Sequence, residues 1–210
     1  MPHKILVLGG SGPTGRLIVA QALEQGHTVT VLARRPEAVG IINQRLVLIA
    51  GDAASDPASV TRALHGHDVV ISALGRGLSF KPENLMTRAT PAIVSAMENG
   101  GVKRLVFISG LGVDGKAPDA PLLDRLFWRF PLAGIYADKA VAEQIITSTT
   151  LDWTIVAPVR LTNGARSGQF RLVEGRVSRG PWTMSRPDAA AATLRCVDDP
   201  STIRKRLVAQ

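Results

Sequence analysis

The sequence predicts a doubly wound α/β sheet with helices on both faces, and three observations point there. Short β-branched or apolar runs alternate with helix-like segments along the chain. The first run passes directly into a glycine-rich turn that opens a helix. The two stretches that break the alternation both follow strand ends, where ligands bind in open α/β sheets.

Lys4–Leu8 is a continuous apolar run, as expected of a strand buried on both faces. Leu17, Ile18, Ala20, Ala22 and Leu23 follow at helical spacing, and Gly26 stops the helix. Thr28–Leu32, Arg45–Ile49 and Asp68–Ser72 read as further strands, with a short helix over 57–64 that Pro57 starts. Asn84–Glu98 reads as a helix ended by Gly100 and Gly101, and Arg104–Ile108 as a fifth strand. A helix over Ala137–Ser148 leads to a strand over Trp153–Val156, stopped by Pro158. Ser185 caps a last helix with Pro187 and Asp188 in its first turn, and Arg206–Ala209 closes the pattern as a strand. Strand–helix alternation implies parallel pairing through right-handed crossovers. Residues 112–135 and 160–184 break the rhythm and form the expected substrate-side lobe of one domain spanning 1–210.

Composition narrows the class. A chain of 210 residues that is 45% apolar and 20% charged has enough material for one packed core. Cys196 is the single cysteine, so no internal disulfide forms, as is usual in a reducing cytoplasm. The apolar start is too short for a signal-peptide core, and no window of apolar residues is long enough to span a membrane. Net charge is +8, and nineteen of the 25 basic residues are arginine. Such a surface favours anions. The charges are scattered, with no helix-turn-helix or basic–aromatic stripe, which argues against nucleic acid as the partner. His3, His27, His65 and His67 have no metal-ligand spacing, and no metal is expected. A monomer or homodimer is expected.

The turn Gly9-Gly10-Ser11-Gly12-Pro13-Thr14-Gly15 sits between strand and helix, the context a phosphate-binding glycine motif requires. Gly9 permits a sharp turn, Gly12 lets a pyrophosphate approach the backbone, and Gly15 allows close helix–sheet packing. Ser11, Pro13 and Thr14 lie between them at the helix N-terminus, whose free N–H groups attract phosphate. The bland alternative is a tight turn that binds nothing. After the second strand stands Ala33-Arg34-Arg35-Pro36, with no acidic residue for ribose hydroxyls. Two guanidinium groups suit a phosphate, so NADP(H) is favoured over NAD(H), against a reading of Arg34 and Arg35 as solvated loop charges. Asp52, after the third strand, either accepts from an adenine amino group or caps its own turn. Ala73-Leu74-Gly75, after the fourth, is small enough for a cofactor to cross the sheet edge, and equally for plain close packing.

These residues resemble the atypical short-chain dehydrogenase/reductases, and within them the NmrA-like and biliverdin reductase B/flavin reductase-like branch. The glycine turn, Leu-Ala-Arg-Arg-Pro and Gly-Asp carry the likeness at the front of the chain. Asp138-Lys139-Ala140-Val141-Ala142-Glu143, then Leu151-Asp152-Trp153-Thr154-Ile155-Val156-Ala157-Pro158, then Ser185-Arg186-Pro187-Asp188-Ala189-Ala190 carry it to the end. The resemblance implies a Rossmann-type domain with a small C-terminal substrate lobe. It also implies NADP(H) contacts that include Lys139 and Pro158, and often reduction of a quinone, flavin or similar aromatic acceptor. Some members of that group act as redox sensors without turnover.

The usual short-chain reductase set is a serine after strand five and Tyr-x-x-x-Lys on the next helix. Ser109 and Lys139 stand in those places, but Ile135 occupies the tyrosine position and Tyr136, the only tyrosine, lies three residues before Lys139. Residues three apart still share a helix face. Tyr136 therefore reads either as a proton donor with altered aim or as a plain helix-start residue. Lys139 reads as a ribose ligand or as a surface partner of Glu143, and Ser109 as a catalytic hydroxyl or a strand-end cap. Arg160 and Trp128, with the apolar run 122–130 around Trp128, are the candidate acceptor contacts, against surface charge, core packing or a dimer contact. Two functions follow: an NADPH-dependent reductase of an aromatic acceptor, or an NADP(H)-binding sensor. A nucleotide-sugar epimerase is disfavoured, because the C-terminal part is too short for that substrate domain.

Overall fold

In the computed structural model, which describes residues 1–75, 84–113, 132–175 and 180–210, the strands form one eight-stranded sheet and one two-stranded sheet. In chain order these are β1 (Lys4–Leu8), β2 (Thr28–Ala33), β3 (Leu46–Ala50), β4 (Val69–Ser72), β5 (Arg104–Ile108), β6 (Asp152–Pro158), β7 (Arg160–Thr162), β8 (Leu172–Glu174), β9 (Thr183–Ser185) and β10 (Lys205–Ala209). The helices are α1 (Pro13–Glu24), α2 (Pro57–Leu64), α3 (Leu85–Gly100), α4 (Ala133–Thr147) and α5 (Arg186–Asp198). The sheet order is β3-β2-β1-β4-β5-β6-β10-β8. Every pairing in it is parallel except β10 with β8.

Both faces of the sheet are apolar, so helices cover both. Ile5, Val7, Val31, Ile71 and Val106 pack toward α1 and α5. Leu6, Leu8, Val70, Leu105 and Phe107 pack toward α2, α3 and α4. The strand order reverses between β1 and β4, which opens the ligand-binding crevice of a doubly wound sheet at their C-terminal ends.

Helix starts follow local chemistry. Pro13 stands at the head of α1, and Ser185 caps α5 by accepting from Asp188 N–H at 3.1 Å. The departures from sequence expectation are equally local. Helix α4 begins at Ala133, four residues before the expected Ala137, so Tyr136 lies inside its first turn. Residues 160–184 hold β7, β8 and β9 where only a lobe was expected. β7 and β9 pair as a separate small sheet, and β8 adds an antiparallel edge. Strands of three residues carry too little periodicity to be read from sequence.

Candidate active site

The glycine turn is shaped by its own backbone. Gly9 has φ +81°, and a Cβ there would lie 2.6 Å from the Ala73 carbonyl oxygen, so the turn presses on the exit of β4. A Cβ on Gly15 would lie 2.1 Å from the Gly9 carbonyl oxygen. Gly10, which the sequence did not single out, is held as tightly: its Cβ would meet Val31 Cγ1 at 2.7 Å. Gly12 differs. Its Cβ would meet only the Gly9 carbonyl oxygen, at 3.3 Å, so the space above it is open to a ligand. No side chain caps α1 and its first turn carries no acidic residue, which leaves the Thr14 and Gly15 N–H groups at the helix head without a side-chain cap. A dinucleotide pyrophosphate fits this cradle.

Around the cradle, Ala73 and Leu74 are half-buried and Gly75 exposed at the β4 exit, with Ala73 N–H donating to Leu8 O at 2.8 Å. Arg34 and Arg35 are both exposed after β2. Asp52 caps its turn, Oδ1 accepting from Ala54 N–H at 2.9 Å. Burial opposes ionisation of Asp52, but the hydrogen bonds from Ala54 and Ser55 and the charges of Arg34 and Arg88 outweigh it, so its pKa is lowered. The turn-capping role is therefore seen, and Arg34 is brought close enough to act on this carboxylate.

At the C-terminal end of β5 the structure gathers Ser109, Tyr136 and Lys139. Lys139 Nζ donates to the Ser109 carbonyl oxygen at 2.7 Å. It is not the surface partner of Glu143 that helical spacing offered as an alternative. Burial pushes Lys139 down to about 8, against the pull of the Glu143 and Asp138 carboxylates. The Tyr136 hydroxyl lies 3.7 Å from where a Gly110 Cβ would stand, so it reaches the same strand exit from its position three residues before Lys139. Ser109 is buried, 3% exposed, and its hydroxyl donates to Glu143 Oε1. Glu143 Oε2 accepts from Arg206 Nε at 3.0 Å, and Arg206 Nη2 donates to the Gly110 carbonyl oxygen at 3.0 Å. Glu143 and Arg206 are the polar residues whose part here the sequence reading missed. The Lys-x-x-x-Glu spacing put Glu143 one turn from Lys139, but nothing marked Arg206.

Pro158 ends β6 beside these groups, its carbonyl oxygen accepting from Leu111 N–H at 3.0 Å. Arg160 opens β7, exposed, its N–H donating to Trp182 O at 3.2 Å. Trp128 and the apolar run 122–130 lie outside the described residues. On the substrate side, Asp188 accepts from Ser167 N–H, Ser167 Oγ and Gly168 N–H, pinning the segment after β7 to the head of α5. Among the described residues, no helix is long and apolar enough to cross a membrane.

A glycine cradle at the β1/β4 crevice, with a lysine and a tyrosine at the neighbouring strand end, defines a Rossmann-type nucleotide-binding protein built like the atypical short-chain reductases. The chain belongs to the NAD(P)H-binding family, whose model it matches over residues 9–200. It is 30% identical over 174 residues to the photosystem II assembly factor Ycf39 of Synechocystis sp., covering 80% of this chain and 48% of that protein. It thus spans about half the length of that relative. It is 29% identical over 224 residues to phenylcoumaran benzylic ether reductase 1 of Arabidopsis thaliana, covering 97% of this chain and 67% of the relative. Among solved structures, a short-chain dehydrogenase/reductase from Veillonella parvula in complex with NADP superposes with TM-score 0.82 at 20% identity, covering 100% of this chain and 94% of that one. At that identity the likeness shows the fold. The resemblance to the atypical reductases is borne out at the level of an NAD(P)H-binding family.

Proposed function

We propose that the chain is an NADPH-dependent reductase of a quinone, flavin or similar aromatic acceptor. The observation that carries this reading is the convergence of Lys139 Nζ and the Tyr136 hydroxyl on the Ser109–Gly110 strand exit. Gly9, Gly12 and the head of α1 would hold the pyrophosphate, with Ser11 and Thr14 in the same turn. Arg34 and Arg35 would hold the ribose phosphate, Lys139 the nicotinamide ribose, and Ala73, Leu74, Gly75 and Pro158 would line the path between. Asp52, already a turn cap, would also accept from the adenine edge. Bound there, the reduced nicotinamide supplies hydride. Tyr136 supplies the matching proton, and the Lys139 cation beside it favours the ionised tyrosine that results. Arg160 and Trp128 are the proposed acceptor contacts. The NADP in the Veillonella structure and the reductase in the name of the Arabidopsis relative support this reading.

One observation favours a second reading, an NADP(H) sensor without turnover: the Ser109 hydroxyl donates to Glu143 and is not offered to an acceptor. NADPH oxidation, followed by its absorbance against a panel of quinones, flavins and dyes, separates the two. Turnover by the wild type with a loss of about a hundredfold or more in Tyr136→Phe supports the reductase. No oxidation across the panel together with micromolar NADPH binding supports the sensor.

A further inference from the structure

Two polar residues outside the expected serine–tyrosine–lysine set, Glu143 and Arg206, join Ser109 and Lys139 around two consecutive carbonyls. The Ser109 carbonyl takes the Lys139 ammonium at 2.7 Å, and the next carbonyl, Gly110, takes Arg206 Nη2 at 3.0 Å. Glu143 ties the two halves together, accepting the Ser109 hydroxyl on Oε1 and Arg206 Nε on Oε2. The Glu143–Arg206 pair is well shielded, with side chains 10% and 18% exposed. A shielded ion pair gains little net stability over apolar packing of the same size. Its fork geometry does fix orientation, because one guanidinium binds a carboxylate and a carbonyl at once.

We propose that Glu143 and Arg206 are the positioning pair of the active site: together they fix the Ser109–Gly110 backbone that seats Lys139, one helical turn from the Glu143 carboxylate. The pair also occupies the Ser109 hydroxyl proton, so Ser109 orients and Tyr136 is the donor. This rests on the proposed cofactor reading for its use, but not for its test.

Among the described residues, few charges act on Lys139. Glu143 and Asp138 share its helix, and both pull its pKa upward. Asp138 is engaged by the head of α3, accepting from Met86 N–H and Thr87 N–H. Arg88 of α3 is bonded to Ala54 O, while Arg104 of β5 and Asp152 of β6 lie at the opposite end of the sheet. Arg206 on β10 faces Glu143 and Gly110.

The test is a titration of Lys139 in the whole protein without cofactor, with 13C-labelled lysine and the signal assigned by Lys139→Arg. In wild type the midpoint should lie near 8. In Glu143→Gln it should fall by about one unit, because an attractive carboxylate is lost while burial remains. If Glu143 merely packs, its replacement admits water and the midpoint rises toward the ordinary lysine value, or does not move. Either outcome overturns the proposal. Glu143→Gln leaves Arg206 without its carboxylate and can fail to fold. The double variant Glu143→Gln/Arg206→Gln is then titrated; loss of the Arg206 cation offsets part of the effect, so a smaller downward shift is expected, and a rise or no movement overturns the proposal. The pH above which NADPH affinity declines should move down with Lys139 by the same interval. A wild type that binds no NADPH sinks the cofactor reading and leaves the titration to decide this one.

Discussion

A methyl group separates the roles of two glycines in one turn. At Gly15 it would stand 2.1 Å from a backbone oxygen that cannot yield, so Gly15→Ala should lower stability by ~1–3 kcal/mol, read from denaturant midpoints. At Gly12 it would meet the same oxygen at 3.3 Å, which needs only a small adjustment. Gly12→Ala should therefore fold with little loss yet bind NADPH at least about tenfold more weakly, ~1.4 kcal/mol by titration calorimetry. A Gly12→Ala protein with native affinity would remove the phosphate role from this turn. Arg34 is argued from charge. Wild type should prefer NADPH over NADH by about tenfold or more, and Arg34→Ala should abolish the preference while leaving NADH binding in place.

Between elements, the ends of helices are held from a distance. Asn84 opens α3 with φ 48° and makes no side-chain cap. The cap comes instead from Asp138 of α4, accepting from Met86 N–H at 2.9 Å and from Thr87 N–H and Oγ1, each at 2.8 Å. Removing that carboxylate in Asp138→Ala leaves those donors at a buried helix head and should cost ~1–2 kcal/mol, measured by urea unfolding. Because Asp138 precedes Lys139, the same interaction ties α3 to the active-site helix. Sequence spacing could not supply it: a cap from fifty-odd residues away leaves no local pattern. The Ser185–Asp188 cap is local and was legible, since both partners lie within one turn.

Across the whole molecule, pH acts at the end of the sheet away from the site. His27 is buried in the turn between α1 and β2 and accepts His3 N–H on Nδ1 at 3.0 Å. Burial lowers its pKa from 6.5; the Asp198 carboxylate opposes this, while His3 and the chain's amino group add to it. The unfolded chain takes up its proton at about 6.5 and the folded chain only at lower pH, so this contribution to stability is present above about 6.5 and is lost on acidification below it. Urea midpoints at about pH 7.5 and pH 5.5 should show that fall, and His27→Asn, which does not titrate, should reduce it.

The sequence by itself determined the parallel sheet, the position of the glycine cradle and the chemistry gathered around it. Apolar runs buried on both faces, glycines at a strand-to-helix turn and arginines in place of a carboxylate are each written within a few consecutive residues. Tertiary structure alone decided which side chains complete the site. Glu143 meets Arg206 across 63 residues, in the same cluster in which the Ser109 hydroxyl donates to Glu143 and Lys139 donates to the Ser109 carbonyl. Local periodicity reports which face of an element is apolar. It holds no information on which distant polar group that face will meet, because strand order and packing set the meeting only after the chain has folded.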